Sequence, residues 1–115
     1  MPYKVDTEKL KVKFNGKFDL LKKLHHEFSL HIETVFPEMR TAYETEDFKT
    51  LAEKAHTLKG NAALIGATRV SELASEVQEA SSNGNVQSLS RALPLLCDEA
   101  EEALKELNAF ISDQS

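Results

Sequence analysis

The chain has 115 residues and a net charge of −5, from 14 basic and 19 acidic side chains. This length suits one domain with a single hydrophobic core. The negative charge argues against a nucleic-acid-binding protein, which needs clustered cations to neutralise phosphates. One cysteine, Cys97, excludes an internal disulfide and a zinc site built on several cysteines. The chain has neither the apolar core of a secretory signal nor an apolar run long enough to cross a membrane, so we expect a cytoplasmic protein.

The first long pattern begins after Gly16. Its apolar residues recur every three or four positions, as on one face of a helix: Phe18, Leu21, Leu24, Phe28, Ile32 and Val35. Because the residue before a proline avoids the helical region, Pro37 predicts a break or kink. A short helix over about residues 37–43 would then begin with this proline.

A second pattern follows residues 44–47, which are acidic, as is typical of a helix start. Its apolar positions continue without a miss: Phe48, Leu51, Ala55, Leu58, Ala62 and Ile65. They predict a helix of about 18–20 residues that ends at Gly66, since glycine suits the position after a helix end.

Two more patterns complete the chain. One runs over residues 70–80 and stops at the turn signal of residues 81–85. The other runs over residues 86–110 and keeps its phase across Pro94, so we predict one kinked helix there. No segment alternates in the manner of a strand. The prediction is an all-α, antiparallel four-helix bundle with an additional short helix or kinked segment. It forms one domain over residues 1–115, with an N-terminal segment at about residues 1–16 and the bundle at residues 17–111.

His56 is the candidate functional residue. It follows Ala55 of the buried stripe, so it lies about 100° further around the helix, on the flank or outer face. Its helical neighbours are mostly small and include one cation: Ala52, Lys59, Gly60 and Ala63. The imidazole would therefore protrude, and a partner could approach its ring nitrogen. Gly60 within a helix costs about 0.5–1 kcal/mol relative to alanine, which indicates that a side chain is unwanted there. The alternative is an incidental surface histidine beside a glycine that permits close helix packing.

The segment around His56, AHTLKGNAALIGATRVSELASEVQ, resembles the motif region of the histidine phosphotransfer (HPt) domain family. The matching residues are His56, Leu58, Lys59, Gly60, Ala62, Ala63, Gly66, Leu73 and Ala74. The acidic turn before Phe48 also fits, and a looser similarity extends over residues 18–111. One departure is Asn61, where serine or alanine is common; its side chain could hydrogen-bond near a phosphoryl group or simply face water.

The resemblance implies a carrier that relays phosphoryl groups between aspartates of response-regulator receiver domains. His56 would be phosphorylated on Nε2, Lys59 would stabilise the phosphoryl charge, and Gly60, Ala63 and Ala52 would leave room for the partner. Gln78 stands where some members hold Nδ1 of the imidazole, the alternative being a solvated glutamine. The expected partners are receiver domains and a hybrid sensor kinase. The receiver would supply Mg²⁺, so we expect no cofactor on this chain.

The chain carries no Walker loop, GxGxxG or HRD motif, so ATP is not expected to be its phosphoryl donor and we do not expect a kinase. Two alternatives remain open: the phosphoacceptor domain of a chemotaxis-type histidine kinase, and a non-catalytic helical adaptor that binds partners through the same face. Nothing in the pattern favours binding to nucleic acid or membrane, and a monomer is expected.

The remaining reactive residues are expected to be structural. His25, His26 and His31 have the wrong spacing for a pair of metal ligands on one helix face, so no metal site is predicted. Cys97 adjoins the stripe of the last helix and should be packed at its edge. A lysine cluster near the start should be solvated, although it could steer an acidic receiver. Its members are Lys9, Lys11, Lys13 and Lys17.

Overall fold

A computed structural model describes residues 4–114, and its regular elements are helices without any strand in that range. The elements are α1 (Thr7–Lys13), α2 (Phe18–Leu30), a π-helical turn (His31–Val35), α3 (Phe36–Glu44), α4 (Phe48–Leu64), α5 (Thr68–Ser82) and α6 (Val86–Gln114). The predicted all-α fold is therefore confirmed.

Four walls enclose the core. They are the combined α2 and α3, then α4, α5 and α6, and each wall contacts the next around the bundle. Short links between neighbouring helices bring them side by side. Many of the side chains that fill the centre are completely or almost completely buried, among them Phe28, Met39, Leu51, Leu58, Leu73, Leu96 and Leu107. These belong to the apolar stripes of the sequence, so the stripes identify the core.

The first wall stays helical at Pro37, so of the two predicted outcomes, a break or a kink, the break is wrong. A proline inside an α-helix lacks an N–H and collides with the carbonyl four residues earlier. The π-helical turn precedes the proline and widens the backbone, with the Phe36 N–H donating to the carbonyl of His31. Pro37 then occupies the first turn of α3, where no N–H is needed. The short helix predicted over about residues 37–43 is confirmed as α3.

A short helix, α1, lies within residues 1–16, where the sequence pattern predicts no element. Asp6 caps its start by accepting a hydrogen bond from the backbone N–H of Lys9 at 3.0 Å. Val5, Leu10 and Phe14 are buried in the main core. Residues 5–14 are therefore packed against the bundle rather than trailing from it.

The turn between α4 and α5 has a geometry that requires glycine. Gly66 has φ +75°, and the N–H groups of Gly66 and Ala67 donate to the carbonyls of Ala63 and Ala62. This is the Schellman arrangement at a helix C-terminus. The helix-end signal predicted at Gly66 is thus confirmed, although the last helical residue is Leu64.

We expect Gly66→Ala to destabilise the protein by about 1–2 kcal/mol. The added Cβ meets only ordinary contacts, the nearest at 3.6 Å, so the cost comes from the left-handed backbone rather than from a clash. Urea unfolding followed by circular dichroism measures the loss. An unchanged free energy of unfolding would contradict the strain argument.

Candidate functional site

Helix α4 is capped at its start and buried along one stripe, and the stripe fixes the direction of its outer face. At its start the Asp47 side chain accepts hydrogen bonds from the Thr50 N–H at 3.2 Å and the Thr50 hydroxyl at 2.8 Å. These two bonds, the hydroxyl first, lower the pKa of the Asp47 carboxyl. Along the helix, Leu51, Ala55 and Leu58 are completely buried. The rotation of α4 is therefore set by its core stripe.

His56 lies on the exposed side of α4, as the spacing from Ala55 predicts. Within residues 4–114, the structure gives its ring no hydrogen-bond partner. Both ring nitrogens are free of protein contacts of that kind, so the imidazole is open to a second molecule.

The surroundings of His56 have low relief. Gly60 and Ala63 are exposed one and two turns further along α4, and Ala52 is half-buried one turn before. A Cβ built on Gly60 would have no heavy atom of another part of the chain within 4 Å. Close packing against another helix is therefore excluded as the reason for this glycine.

Lys59 is half-buried beside the outer face, and α5 touches its backbone. The Ser71 hydroxyl donates a hydrogen bond of 3.1 Å to the Lys59 carbonyl. No carboxylate of the described chain forms an ion pair with the Lys59 ammonium. The cation that follows His56 by about one turn is thus left without an ion pair, as a site for an anionic group requires.

Gln78 lies half-buried on α5 and makes no hydrogen bond to His56 among the residues that the structure describes. Ser71 fixes the register of the two antiparallel helices by its contact with Lys59. Gln78 lies seven residues further along α5, about level with Ala52 of α4. Ala52 itself precedes His56 by one turn, or ~5.4 Å along the axis of α4. Its role in holding Nδ1 stays a prediction.

Asn61 does not face water, so that alternative was wrong. The residue is 7% exposed, and its Oδ1 atom is buried without a hydrogen-bond partner. It lies roughly 140° around the helix from His56, on the side of the core. Helical spacing offered a signal for this burial, because Asn61 lies three residues after Leu58 and four before Ile65, although asparagine is ordinarily a surface residue.

The three other histidines are separated in the structure. His25 shares a hydrogen bond with Asn108 of α6, and His26 is exposed. Burial lowers the pKa of His31, an effect to which Lys54 adds and which Glu27 opposes. Across residues 4–114 there is no group of three or more histidine, cysteine, aspartate or glutamate side chains that could hold a metal ion.

Cys97 is half-buried at the edge of α6, in the expected position. Burial raises the pKa of its thiol, with a smaller contribution of the same sign from Glu101, while Arg40 acts in the opposite direction. The thiol is therefore less readily ionised than an exposed cysteine, and less nucleophilic.

These observations define a class of protein: a helical bundle with one unpartnered histidine on the open face of a central helix. The model of the Hpt domain family matches residues 23–110, which is most of the chain, and the chain therefore belongs to the Hpt domain family. Membership implies histidine phosphotransfer in two-component phosphorelays. No match was found among the curated proteins or among the solved structures. In the part of the chain that the structure describes, no helix has the length and apolarity to cross a membrane.

Proposed function

We propose that this protein is the histidine phosphocarrier of a multistep phosphorelay, with His56 as the phosphoacceptor. The donor is an aspartyl phosphate on a receiver domain, and the acceptor is an aspartate on another receiver. The observation that carries the proposal is the open environment of His56 on α4, in a chain of the Hpt domain family. The lone thiol suits a cytoplasmic protein. We propose that the protein acts in the cytoplasm as a monomer.

The chemistry needs only a neutral imidazole and a correctly placed donor. With the proton on Nδ1, the lone pair of Nε2 attacks the phosphorus atom, the N–P bond forms, and the P–O bond to the aspartate breaks. The aspartate leaves as a carboxylate. The Nδ1–H donates to a hydrogen-bond acceptor, a role we assign to the Gln78 amide oxygen. In the second transfer a carboxylate oxygen attacks phosphorus and the N–P bond breaks.

The test is labelling by a phosphorylated receiver domain. The full chain is incubated with a receiver charged by acetyl phosphate, and the product is treated with acid and with alkali. Phosphohistidine is lost in acid and survives alkali, and peptide mass spectrometry locates it. A chain that binds the charged receiver without becoming labelled would instead be a helical adaptor.

Two labelling reactions separate the relay from a domain of a chemotaxis-type kinase. The relay predicts that the receiver aspartyl phosphate labels His56. It also predicts that the labelled chain, once purified, phosphorylates a second, uncharged receiver. Labelling only by the ATP-bound catalytic domain of a histidine kinase would favour the kinase-domain alternative.

We expect Lys59→Ala to slow transfer several-fold, by about 3- to 10-fold at saturating receiver, without unfolding the protein. The lost ammonium no longer offsets the negative charge that gathers on the phosphoryl oxygens. Rapid-quench single-turnover kinetics measures the rate. Lys49→Ala, which removes an exposed cation two turns before His56 on the same helix, is the control. Equal rates for wild type and Lys59→Ala would show that Lys59 is a solvated surface charge.

A further inference from the structure

The charges of this chain are strongly separated along its length. Residues 4–23 contain seven lysines against three acidic residues, whereas residues 68–114 contain nine acidic residues against three basic ones. The first group forms α1 and the start of α2, and the second group forms α5 and α6. A net charge of −5 therefore conceals a basic end, most of which precedes the region matched by the family at residues 23–110.

Part of the basic end adjoins the helix that carries His56. The Lys13 ammonium donates to the carbonyl of Leu64, the last residue of α4, at 3.0 Å. Lys9 lies one turn before Lys13 on the same side of α1, and Lys17 follows at the start of α2. All three are exposed, and none forms an ion pair within residues 4–114. We call Lys9, Lys13 and Lys17 the N-terminal basic surface.

An uncharged strip joins His56 to this surface. Leu64 comes eight residues after His56, or ~12 Å along the helix axis. Between them α4 exposes Gly60 and Ala63, and Leu64 itself is 46% exposed. A protein that covers the strip while reaching the imidazole would come within about one Debye length of Lys13 at physiological salt.

We infer that the N-terminal basic surface steers the receiver domain onto His56, by raising the rate of encounter rather than the rate of the chemical step. The inference rests on the proposed function. A receiver that binds Mg²⁺ through carboxylates presents a cluster of anionic oxygens around its reacting aspartate. Unpaired lysines beside the strip attract that face, while the acidic α5 and α6 repel it, so the approach is oriented as well as accelerated.

The test compares two double variants with equal net charge. Lys9→Gln/Lys13→Gln removes two charges from the basic surface. Arg91→Gln/Lys105→Gln removes two charges from exposed positions of α6. A receiver domain that labels the wild type is used throughout, charged with acetyl phosphate. The second-order rate constant for transfer and the rate at saturating receiver are measured between ~20 mM and ~500 mM salt.

At ~20 mM salt, we expect the surface variant to lose about 5- to 10-fold in the second-order rate constant, and less than about 2-fold at ~500 mM. The saturating rate should stay within about 2-fold of wild type, and the α6 variant should behave like wild type. Equal losses in both variants, a loss that salt does not remove, or a loss confined to the saturating rate would each overturn the inference. Thermal unfolding is measured in parallel. If Lys13→Gln weakens the fold, the comparison is repeated with Lys9→Glu, because the Lys9 side chain has no partner among residues 4–114.

The failures of the two proposals are distinguishable. If the wild type is labelled on His56 and the surface variant has wild-type kinetics at low salt, steering is wrong and the phosphocarrier stands. If the wild type is not labelled, the phosphocarrier fails and the inference falls with it. Lysine-dependent binding of a random-sequence DNA duplex at ~150 mM salt, with unchanged transfer, would assign the surface to nucleic acid instead.

Discussion

His56→Gln is expected to abolish labelling by a phosphorylated receiver, with a loss of at least about 10³-fold, while the fold persists. Glutamine has no nucleophilic ring nitrogen, so no N–P bond can form. The imidazole is exposed and has no hydrogen-bond partner in residues 4–114, so its removal should change the free energy of unfolding by less than about 0.5 kcal/mol. Labelling kinetics and urea unfolding monitored by circular dichroism check both parts.

His26→Gln is the matched control, because His26 is another exposed histidine on a helix of the same bundle. The His26→Gln variant should be labelled on His56 at the wild-type rate. If His56→Gln were labelled as fast as the wild type, the acceptor would have to be a different residue, and the open face of α4 would need another explanation.

Substitutions at Gly60 are expected to separate stability from function. Gly60→Ala places a Cβ where nothing lies within 4 Å and removes a helix-interior glycine, so it should stabilise the protein by about 0.5–1 kcal/mol. Gly60→Leu should fold as well, but its side chain would stand one turn from His56 in the path of the partner. We expect transfer to fall by about 100-fold, since small displacements of reacting groups cost that much.

Transfer at saturating receiver and thermal unfolding are measured for both variants. Glu102→Leu, which places a leucine on the exposed surface of α6, controls for added apolar area. Normal transfer by Gly60→Leu would show that the partner does not approach across this part of α4. Destabilisation by Gly60→Ala would show that the glycine has a packing role after all.

The walls of the bundle were predictable because each has a regular stripe and a clear end. The stripe of α4 contains Leu51, Ala55 and Leu58, all completely buried. Its end is fixed by Gly66, whose positive φ is a local requirement that can be inferred from the residue type. The α6 stripe likewise continues through Pro94 in one helix. Local periodicity and turn chemistry suffice where one face of a helix is buried.

Two features of the fold escaped prediction, helix α1 and the turn after α3. Helix α1 has only seven residues, too few for a helical period to emerge, and it is held by Leu10 and Phe14 reaching the core. The turn after α3 escaped prediction for a different reason: Glu46 has φ +58°, a conformation that glycine usually adopts and that its residue type does not indicate. Residues 44–47 indicated a helix start, and of these residues only Asp47 caps α4. Tertiary packing overrides the weak local signal in α1, whereas the turn after α3 is closed locally, by hydrogen bonds from the N–H groups of Glu46 and Asp47 to the carbonyls of Tyr43 and Ala42.

The site shows the same limit. Helical spacing sufficed to place His56 and Gly60 on the exposed side of α4, because a fixed rotation of about 100° per residue relates them to the buried stripe. Spacing could not place Ser71 against the carbonyl of Lys59, since that contact depends on how closely the neighbouring helices approach. The sequence analysis also did not identify Leu64 as an exposed apolar residue at the end of α4, near the site.

Residues 4–6 connect distant parts of the chain. The N–H of Asp6 donates to the carbonyl of Gly66 at 3.2 Å, and the N–H groups of Lys4 and Val5 donate to the Glu106 carboxylate at 2.6 and 3.0 Å. A chain that started at the first residue of the family match would lack this tie and would bare the apolar surface beneath it. The packed unit is thus larger than the stretch of sequence that the family match covers.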